Sequence, residues 1–344
     1  MYPGTKTVIR VSSILLVLIC VWIGTMTSSL ALASETDQYT PPPAPLVDIG
    51  PFISQTFYQS LQTVIQNAPP GANIQTIRHG FFNSWARGIP YTKLELWMAR
   101  SKSLPKGAVF KMPQKNSIYK GFIGHPTPGS LFVLAPTINM YGVYFGTDKL
   151  GHLVQQGYGS LMTYQKGLAH GLTPAQAQEN VVQRNVEQER TYFGTWLDGV
   201  YSNGDLAGDF AGLKFYRNFE EPVQIGGKIV PPILVQVEDR WKINPSLNPA
   251  DMMRPFISDH LNEMLNPSLY IYSQTRLRKA IQDRQEVLER AKSYYPLQPS
   301  EDVSLWRGEN YGHNQGKGHA FPLAEVCPSL VNSVNPPENL PESL

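Results

Sequence analysis

A glycine stands at every fourth position of the segment after Ser202, at Gly204, Gly208 and Gly212. This spacing places the three glycines on one face of a helix, because residues four apart lie above one another. A face without side chains allows a second backbone to approach closely. The spacing therefore predicts a helix that packs tightly against a neighbour, with Ser202 as its N-cap.

The segment before it predicts a helix with two contrasting faces, capped at Thr147. Its apolar face carries Leu150, Leu153, Val154, Gly157, Leu161 and Tyr164. Its polar face carries Asp148, His152, Gln155, Gln156, Gly159 and Thr163. A solvated helical face usually bears Lys and Glu, whereas this one is uncharged beyond its first turn. We therefore interpret it as the lining of a cavity, with an ordinary solvated face as the alternative.

Between these two segments, a capping box at Thr173–Gln176 predicts a helix that extends to about Leu197. Glu189 falls within its apolar seam of Val182, Val186, Phe193 and Trp196. Burying a lone carboxylate costs several kcal/mol unless it is paired or bound. Glu189 is thus either a functional acid or one member of a structural ion pair.

The pattern of helix starts predicts the fold class. Capping residues stand at Thr147, Thr173, Ser202, Asn248 and Asn266, and the last of these precedes a predicted long helix to Tyr295. Alternating strand patterns are scarce outside Pro222 to Val237, where Gly226-Gly227 indicates a β-hairpin. The sequence predicts a mainly α protein, with one helical domain over residues 51–327 and a small β-hairpin.

The two ends of the chain carry different signals. Residues 1–33 combine Lys6 and Arg10, an apolar run and an Ala31-Leu32-Ala33 cleavage site, which predicts a cleaved signal peptide. The alternative is an uncleaved membrane anchor. A proline-rich, solvated spacer is expected over residues 34–50, and a disordered tail over residues 328–344. These features predict an exported bacterial protein, either periplasmic or extracellular.

Charge and cysteine content narrow the classes of partner. Without residues 1–33 the chain is close to neutral and retains one cysteine, Cys327. An intramolecular disulfide framework is therefore excluded. The absence of a basic run argues against a nucleic-acid partner. An envelope glycan or lipid is the expected substrate, with membrane contact only through an uncleaved N-terminal segment.

Seven ionisable residues in the predicted helices are candidates for a functional site. We predict His152, Asp209, His260 and Asp148 as ligands of a divalent metal, zinc in the first instance, because facing helices build metal sites from such side chains. The predicted catalytic carboxylates are Glu189, Asp205 and Glu263. A metal-bound water with a lowered pKa beside a carboxylate base would make the protein a metal-dependent hydrolase.

Two other interpretations remain open. Glu189 with Asp205 or Asp209 would serve as the carboxylate pair of a metal-independent, glycan-acting protein. The chain is rich in aromatic residues suited to stacking on sugars, such as Trp85 and Trp196. The second alternative is a non-enzymatic envelope protein, in which the same polar groups form a buried network that fixes the packing of the helices.

Asp148-Lys149-x-x-His152, with Tyr158 after it, resembles the D-K-x-x-H signature of VanZ-like and YfiM-type bacterial envelope proteins. Those families also place acids on the following helices, as Glu189 and Asp205 are placed here. The likeness covers about a dozen residues, and those proteins are small and membrane-embedded or lipid-anchored. The resemblance implies an envelope setting and a role for His152.

Overall fold

The computed structural model describes residues 32–88, 91–122, 131–191, 194–196, 199–300 and 316–332. Except for its last two residues, the predicted signal peptide lies outside the described residues. The helices of the described part are α1 Gly50–Asn67, α2 Ile74–Trp85, α3 Lys93–Arg100, α4 Thr147–Ala169, α5 Pro174–Arg190, α6 Asn203–Arg217, α7 Gln274–Gln282, α8 Gln285–Ala291, α9 Leu323–Val326 and α10 Pro328–Asn332.

The strands are short and form several small sheets. They are β1 Leu32–Glu35, β2 Val109–Phe110, β3 Leu131–Leu134, β4 Thr137–Met140, β5 Val143–Gly146, β6 Val200–Tyr201, β7 Val223–Ile225, β8 Lys228–Val230, β9 Leu234–Val237, β10 Arg240–Ile243 and β11 Leu269–Tyr270. The β1–β3 pair is parallel, and the other pairs are antiparallel. The predicted hairpin is confirmed as β7–β8, and the protein is mainly helical with a few hairpins.

Helices α4 and α6 pack closely against each other, as the glycine spacing predicts. A methyl group on Gly212 would lie 2.1 Å from the carbonyl oxygen of Leu153, and one on Gly157 would lie 2.4 Å from Gly212 Cα. A methyl group on Gly208 would lie 2.9 Å from the carbonyl oxygen of Lys149. The missing side chains therefore set the distance between the two helices.

The apolar face predicted for α4 is buried, and it joins α1, α2, α5 and α6 in the larger of two hydrophobic clusters. The smaller cluster contains several tyrosines, such as Tyr39, Tyr119 and Tyr295, together with Cys327. The β4–β5 hairpin leads directly into α4, because Gly146 ends β5 and serves as the N-cap of the helix. The predicted cap, Thr147, is instead the first residue of the helix. The start of α4 is thereby fixed between the sheet and α6.

Three helix boundaries differ from the predictions. Helix α5 ends at Arg190 rather than near Leu197, so Trp196 leaves the apolar seam and is 63% exposed. The segment opening at Asn248 forms only two short 3₁₀ turns, Pro249–Asp251 and Arg254–Phe256. The predicted long helix from Asn266 is replaced by β11, α7 and α8. Pairing of β11 with β6 draws this stretch into extended structure, which the local sequence does not reveal.

The ends of the chain also differ from expectation. Residues 35–42 are buried, so this part of the expected spacer is not solvated. Its position follows from β1, which pairs with β3 and carries the chain into the interior. Residues 328–332, expected to be disordered, form α10, in which Leu330 is buried. The rest of the predicted tail lies outside the described residues.

No helix within the described ranges has the length and apolar character needed to cross a membrane.

Candidate functional site

A fully buried lysine, Lys149, lies at the start of α4 among carboxylates. Its Nζ atom is 2.6 Å from Asp205 Oδ1, 2.6 Å from Glu263 Oε1 and 2.9 Å from Asp148 Oδ2. Glu35 Oε2 lies 4.0 Å away. These side chains are at most 6% exposed, and we call the five residues the lysine cluster. Three of the predicted site residues, Asp148, Asp205 and Glu263, therefore meet at an ammonium group.

Hydroxyl and backbone groups complete the lysine cluster. The Ser202 hydroxyl donates to Glu263 Oε1 at 2.9 Å and also accepts the backbone N–H of Asp205 at 3.1 Å as the N-cap of α6. The Thr36 hydroxyl donates to Asp148 Oδ1 at 3.0 Å, and its backbone N–H donates to Glu263 Oε2 at 3.3 Å. Hydrogen bonding of this kind offsets part of the desolvation of buried carboxylates.

The lysine cluster contains four carboxylates and one ammonium group, and burial and this excess of negative charge together set the pKa values of Asp148 and Lys149. Burial raises the pKa of Asp148 to about 6, Lys149 opposes the rise, and Asp205 and Glu263 add to it. Burial by itself would lower the pKa of Lys149, but the surrounding carboxylates hold it well above its ordinary value. Lys149 is therefore charged at neutral pH, and Asp148 exchanges its proton in the mildly acidic range.

One helical turn beyond Lys149, His152 connects the lysine cluster to solvent. Its Nδ1 atom is 2.9 Å from Asp209 Oδ1, and its Nε2 atom is 3.5 Å from Asp205 Oδ2. The histidine side chain is 23% exposed, whereas both aspartate side chains are at most 8% exposed. Asp205 and Asp209, one turn apart on α6, thus bracket the imidazole.

The two aspartates control the protonation of His152. Burial alone would lower its pKa, but the charge of Asp205 and the hydrogen bond to Asp209 outweigh burial and raise the pKa to about 10. Burial also raises the pKa of Asp209, although His152 opposes that rise. His152 is therefore an imidazolium at neutral pH. A fixed, partly exposed cation can stabilise negative charge on a bound ligand.

Glu95 lies beside His152 and was not predicted as a site residue. A methyl group on Gly151, the residue before His152, would be 2.7 Å from Glu95 Oε2. The carboxylate accepts the backbone N–H of Thr92 at 2.8 Å and its hydroxyl at 2.7 Å, which completes the capping box of α3. Burial raises the pKa of Glu95 to about 7, which suits a group that exchanges protons at neutral pH.

The Glu95 side chain also faces a cavity of about 310 Å³. Tyr91, Lys111 and Thr147 line this cavity together with apolar residues of α3 and of the segment after β3. Thr147 is the first residue of α4, one turn before His152. Glu95 therefore both lines the cavity and lies next to the backbone of Gly151, the residue before His152.

The remaining predicted residues occupy other positions. Glu189 is buried, and its Oε1 atom accepts the backbone N–H of Ser202 at 2.8 Å, so it supports the start of α6. His260 is fully buried in the 3₁₀ turn Asp259–Leu261, and its carbonyl oxygen accepts the side-chain amide of Asn266 at 2.9 Å. His260 therefore lies in a 3₁₀ turn and not in an α-helix.

The expected metal ligands do not assemble into one group. Asp148 faces Lys149 rather than His152, and Asp209 pairs with His152. Throughout the described ranges, no group of three or more His, Cys, Asp or Glu residues is arranged to hold a metal ion. The divalent-metal site therefore stays a prediction, and we derive no chemical step through a metal.

Sequence reasoning overlooked Lys149, Glu35, Thr36 and Glu95 as members of the site. A signal for Lys149 was present, because it lies four and eight residues before Leu153 and Gly157 on the apolar face of α4. A lysine in a buried stripe requires a partner of opposite charge. Glu35 and Thr36 carry no such signal, since only the pairing of β1 with β3 brings them inward.

Comparisons with protein families, curated proteins and solved structures gave no significant match to this chain. The resemblance of Asp148-Lys149-x-x-His152 to VanZ-like and YfiM-type proteins consequently stays a prediction.

Proposed function

We propose that this protein is an exported bacterial envelope hydrolase that uses the fixed positive charge of His152 and proton transfer at Glu95. One observation carries the proposal: His152 reaches solvent at 23% exposure from a charged cluster that is otherwise buried. A purely structural network has no need to present one of its charges to solvent. Asp205 and Asp209 fix the ring and keep it protonated, as preorganised electrostatic catalysis requires.

The two groups would have separate roles. The imidazolium of His152 would stabilise the oxyanion that develops when water attacks a carbonyl or phosphoryl centre. Glu95, with a pKa of about 7, would accept a proton from that water and return it to the leaving group. The neighbouring cavity of about 310 Å³ would hold the part of the substrate next to the scissile bond.

Purified mature protein would be assayed on two envelope substrates, peptidoglycan and phospholipid vesicles, with release of reducing sugar, amine or fatty acid as the readout. Glu95→Gln is the sharpest variant, because glutamine retains the capping box at Thr92 but cannot exchange a proton near neutrality. We expect it to lose about 10²- to 10⁴-fold in rate with little change in thermal stability. His152→Gln should reduce the rate to a similar extent.

A matched control is Gln176→Glu, which makes a conservative exchange in the capping box of α5. It should leave the rate unchanged. If the wild type cleaves neither substrate, or if Glu95→Gln retains full rate, the proposed chemistry is wrong. The same groups would then be the structural network considered above.

The metal prediction is tested separately by elemental analysis of the wild type, His152→Ala and Asp209→Asn. The ligands predicted from the sequence are His152, Asp209, His260 and Asp148, and a metal held by them would activate water. A stoichiometric divalent ion that disappears in both variants would support this prediction. A wild type that carries no metal after purification and reconstitution with zinc would contradict it.

A further inference from the structure

A second groove, with a volume of about 640 Å³, lies between the C-terminal end of α5 and the segment that connects β11 to α7. Its lining includes two aromatic residues, Trp196 and Tyr272, and two cationic residues, Arg190 and Lys317. Neither Lys149 nor His152 belongs to this lining. The groove is therefore distinct from the proposed catalytic site.

Trp196 is exposed, and backbone hydrogen bonds connect residues 195 and 196 to the end of α5. Its backbone N–H donates to the carbonyl oxygen of Thr191 at 2.9 Å, and the N–H of Thr195 donates to that of Glu189 at 2.9 Å. A side chain on Gly194 would lie 2.4 Å from the same Glu189 oxygen, so the turn is tightly packed. The Trp196 indole is 63% exposed, so its ring surface is available for stacking on a ligand.

Tyr272 forms another part of the lining and is also fixed. Gly199 has a φ of +82°, and a side chain there would meet the Tyr272 ring at 2.4 Å. The N–H of Ile271 donates to the carbonyl oxygen of Gly199 at 2.9 Å, which ties the two segments together. Two rings on anchored backbone offer stacking surfaces that lose little conformational entropy on binding.

The polar groups of the groove determine the charge of a suitable ligand. Arg190 and Lys317 are exposed, and Glu187 is the acidic member of the lining, so the cationic groups predominate. Thr191 and Thr195 add hydroxyl groups. Aromatic surfaces beside hydroxyl and cationic groups match a sugar that has an apolar ring face and carries a carboxylate or phosphate.

We infer that this groove binds an anionic glycan, stacked on Trp196 and Tyr272, with its acidic group at Arg190 and Lys317. The choice of an envelope glycan rests on the proposed export, whereas the binding does not depend on catalysis by His152 or Glu95. A glycan bound here would be held by a site separate from the reacting groups.

Isothermal titration calorimetry with the purified mature protein tests the inference. The probes are a carboxylated peptidoglycan tetrasaccharide, a phosphorylated oligosaccharide, and neutral chitotetraose, which shares the N-acetylglucosamine units but lacks the acidic group. We expect at least one acidic probe to bind, and chitotetraose to bind at least about tenfold more weakly. The two acidic probes distinguish a carboxylate from a phosphate as the recognised group.

Trp196→Ala should weaken binding of the acidic probe at least about tenfold, as loss of an aromatic anchor does. The double variant Arg190→Gln, Lys317→Gln should bind the acidic probe and chitotetraose with equal affinity. Its affinity for the acidic probe should no longer depend on the salt concentration. Ile229→Ala and Lys228→Gln, at exposed positions on the β7–β8 hairpin, are the controls and should bind as the wild type does.

Binding should also persist in His152→Gln, so failure of the catalytic proposal does not remove this one. No binding of either acidic probe would overturn the inference, as would an affinity that Trp196→Ala leaves unchanged. Equal affinity for chitotetraose and the acidic probes would overturn the assignment of an anionic ligand.

Discussion

Replacing Lys149 with methionine tests the central interaction of this fold. Methionine keeps the unbranched, apolar part of the side chain and removes the charge. Lys149 Nζ lies within 2.9 Å of carboxylate oxygens on Asp148, Asp205 and Glu263, all of which are buried. Without the ammonium these three carboxylates repel one another at a site where their side chains are at most 6% exposed.

The magnitude follows from the burial of the ion pairs. Breaking one buried pair by removing a single partner costs about 3–5 kcal/mol, because the other charge remains uncompensated. A typical domain has a total stability of about 5–15 kcal/mol, so the loss is a large fraction of it. Protonation of the carboxylates relieves part of the repulsion. Lys149→Met should therefore destabilise by about 3–5 kcal/mol near pH 8 and by clearly less near pH 5.

Urea unfolding at both pH values, followed by circular dichroism, measures the effect. Lys166→Met is the matched control, since Lys166 is exposed on the same helix and should change the unfolding free energy by less than about 0.5 kcal/mol. If Lys149→Met does not fold near pH 8, adding Asp148→Asn and Glu263→Gln should restore folding. A loss no larger than that of Lys166→Met, or a loss equal at the two pH values, would refute the reasoning.

Two further predictions concern the packing of the helices and the dependence of stability on pH. Gly212→Ala should lower the unfolding free energy by about 1–3 kcal/mol or more, because its methyl group would overlap the carbonyl oxygen of Leu153. Gly159→Ala is the control: the atom nearest to its added methyl group would be 3.6 Å away, so it should be neutral or slightly stabilising. Thermal melts of both variants measure the difference. In the folded state the pKa of Asp148 is raised from 3.8 to about 6, and the pKa of His152 is raised from 6.5 to about 10. The contribution of each group to stability is therefore complete below its ordinary pKa and is lost as the pH rises through its raised pKa. The melting temperature should therefore fall from about pH 4 towards about pH 10. Asp148→Asn should reduce the acidic part of that slope, to which Glu95, with its pKa raised to about 7, also contributes. A melting temperature that rises steadily over this range would contradict both assignments.

The local sequence determined the features that depend on residues close together in the chain, such as helix caps and the spacing of glycines. The capping boxes at Thr92 and Thr173 and the Ser202 cap form as their side chains dictate; of these, Thr173 and Ser202 were identified in advance. The glycine spacing in α6 predicted close helix packing, because the absence of a side chain is a local property with a direct steric consequence. Aspartates one turn apart on α6 were likewise predictable, since helical spacing alone aligns Asp205 with Asp209.

Interactions between distant residues decided the rest. The segment after Asn266 has a helical pattern, yet pairing of β11 with Val200–Tyr201 makes its first part a strand. Backbone hydrogen bonds to a partner about seventy residues away outweigh a local preference of a few tenths of a kcal/mol per residue. Helix α5 also ends earlier than its pattern predicts, at Arg190, which leaves Trp196 exposed.

The site shows this division clearly. The sequence by itself placed Asp148, Lys149 and His152 on one helix and Asp205 and Asp209 on another, because helical periodicity fixes which residues share a face. Only the tertiary structure decided that Lys149 would hold the carboxylates of Asp148, Asp205 and Glu263 together. Electrostatic pairing depends on distances in space, and those distances are set by the contact of α4 with α6 and by turns that no local pattern specifies.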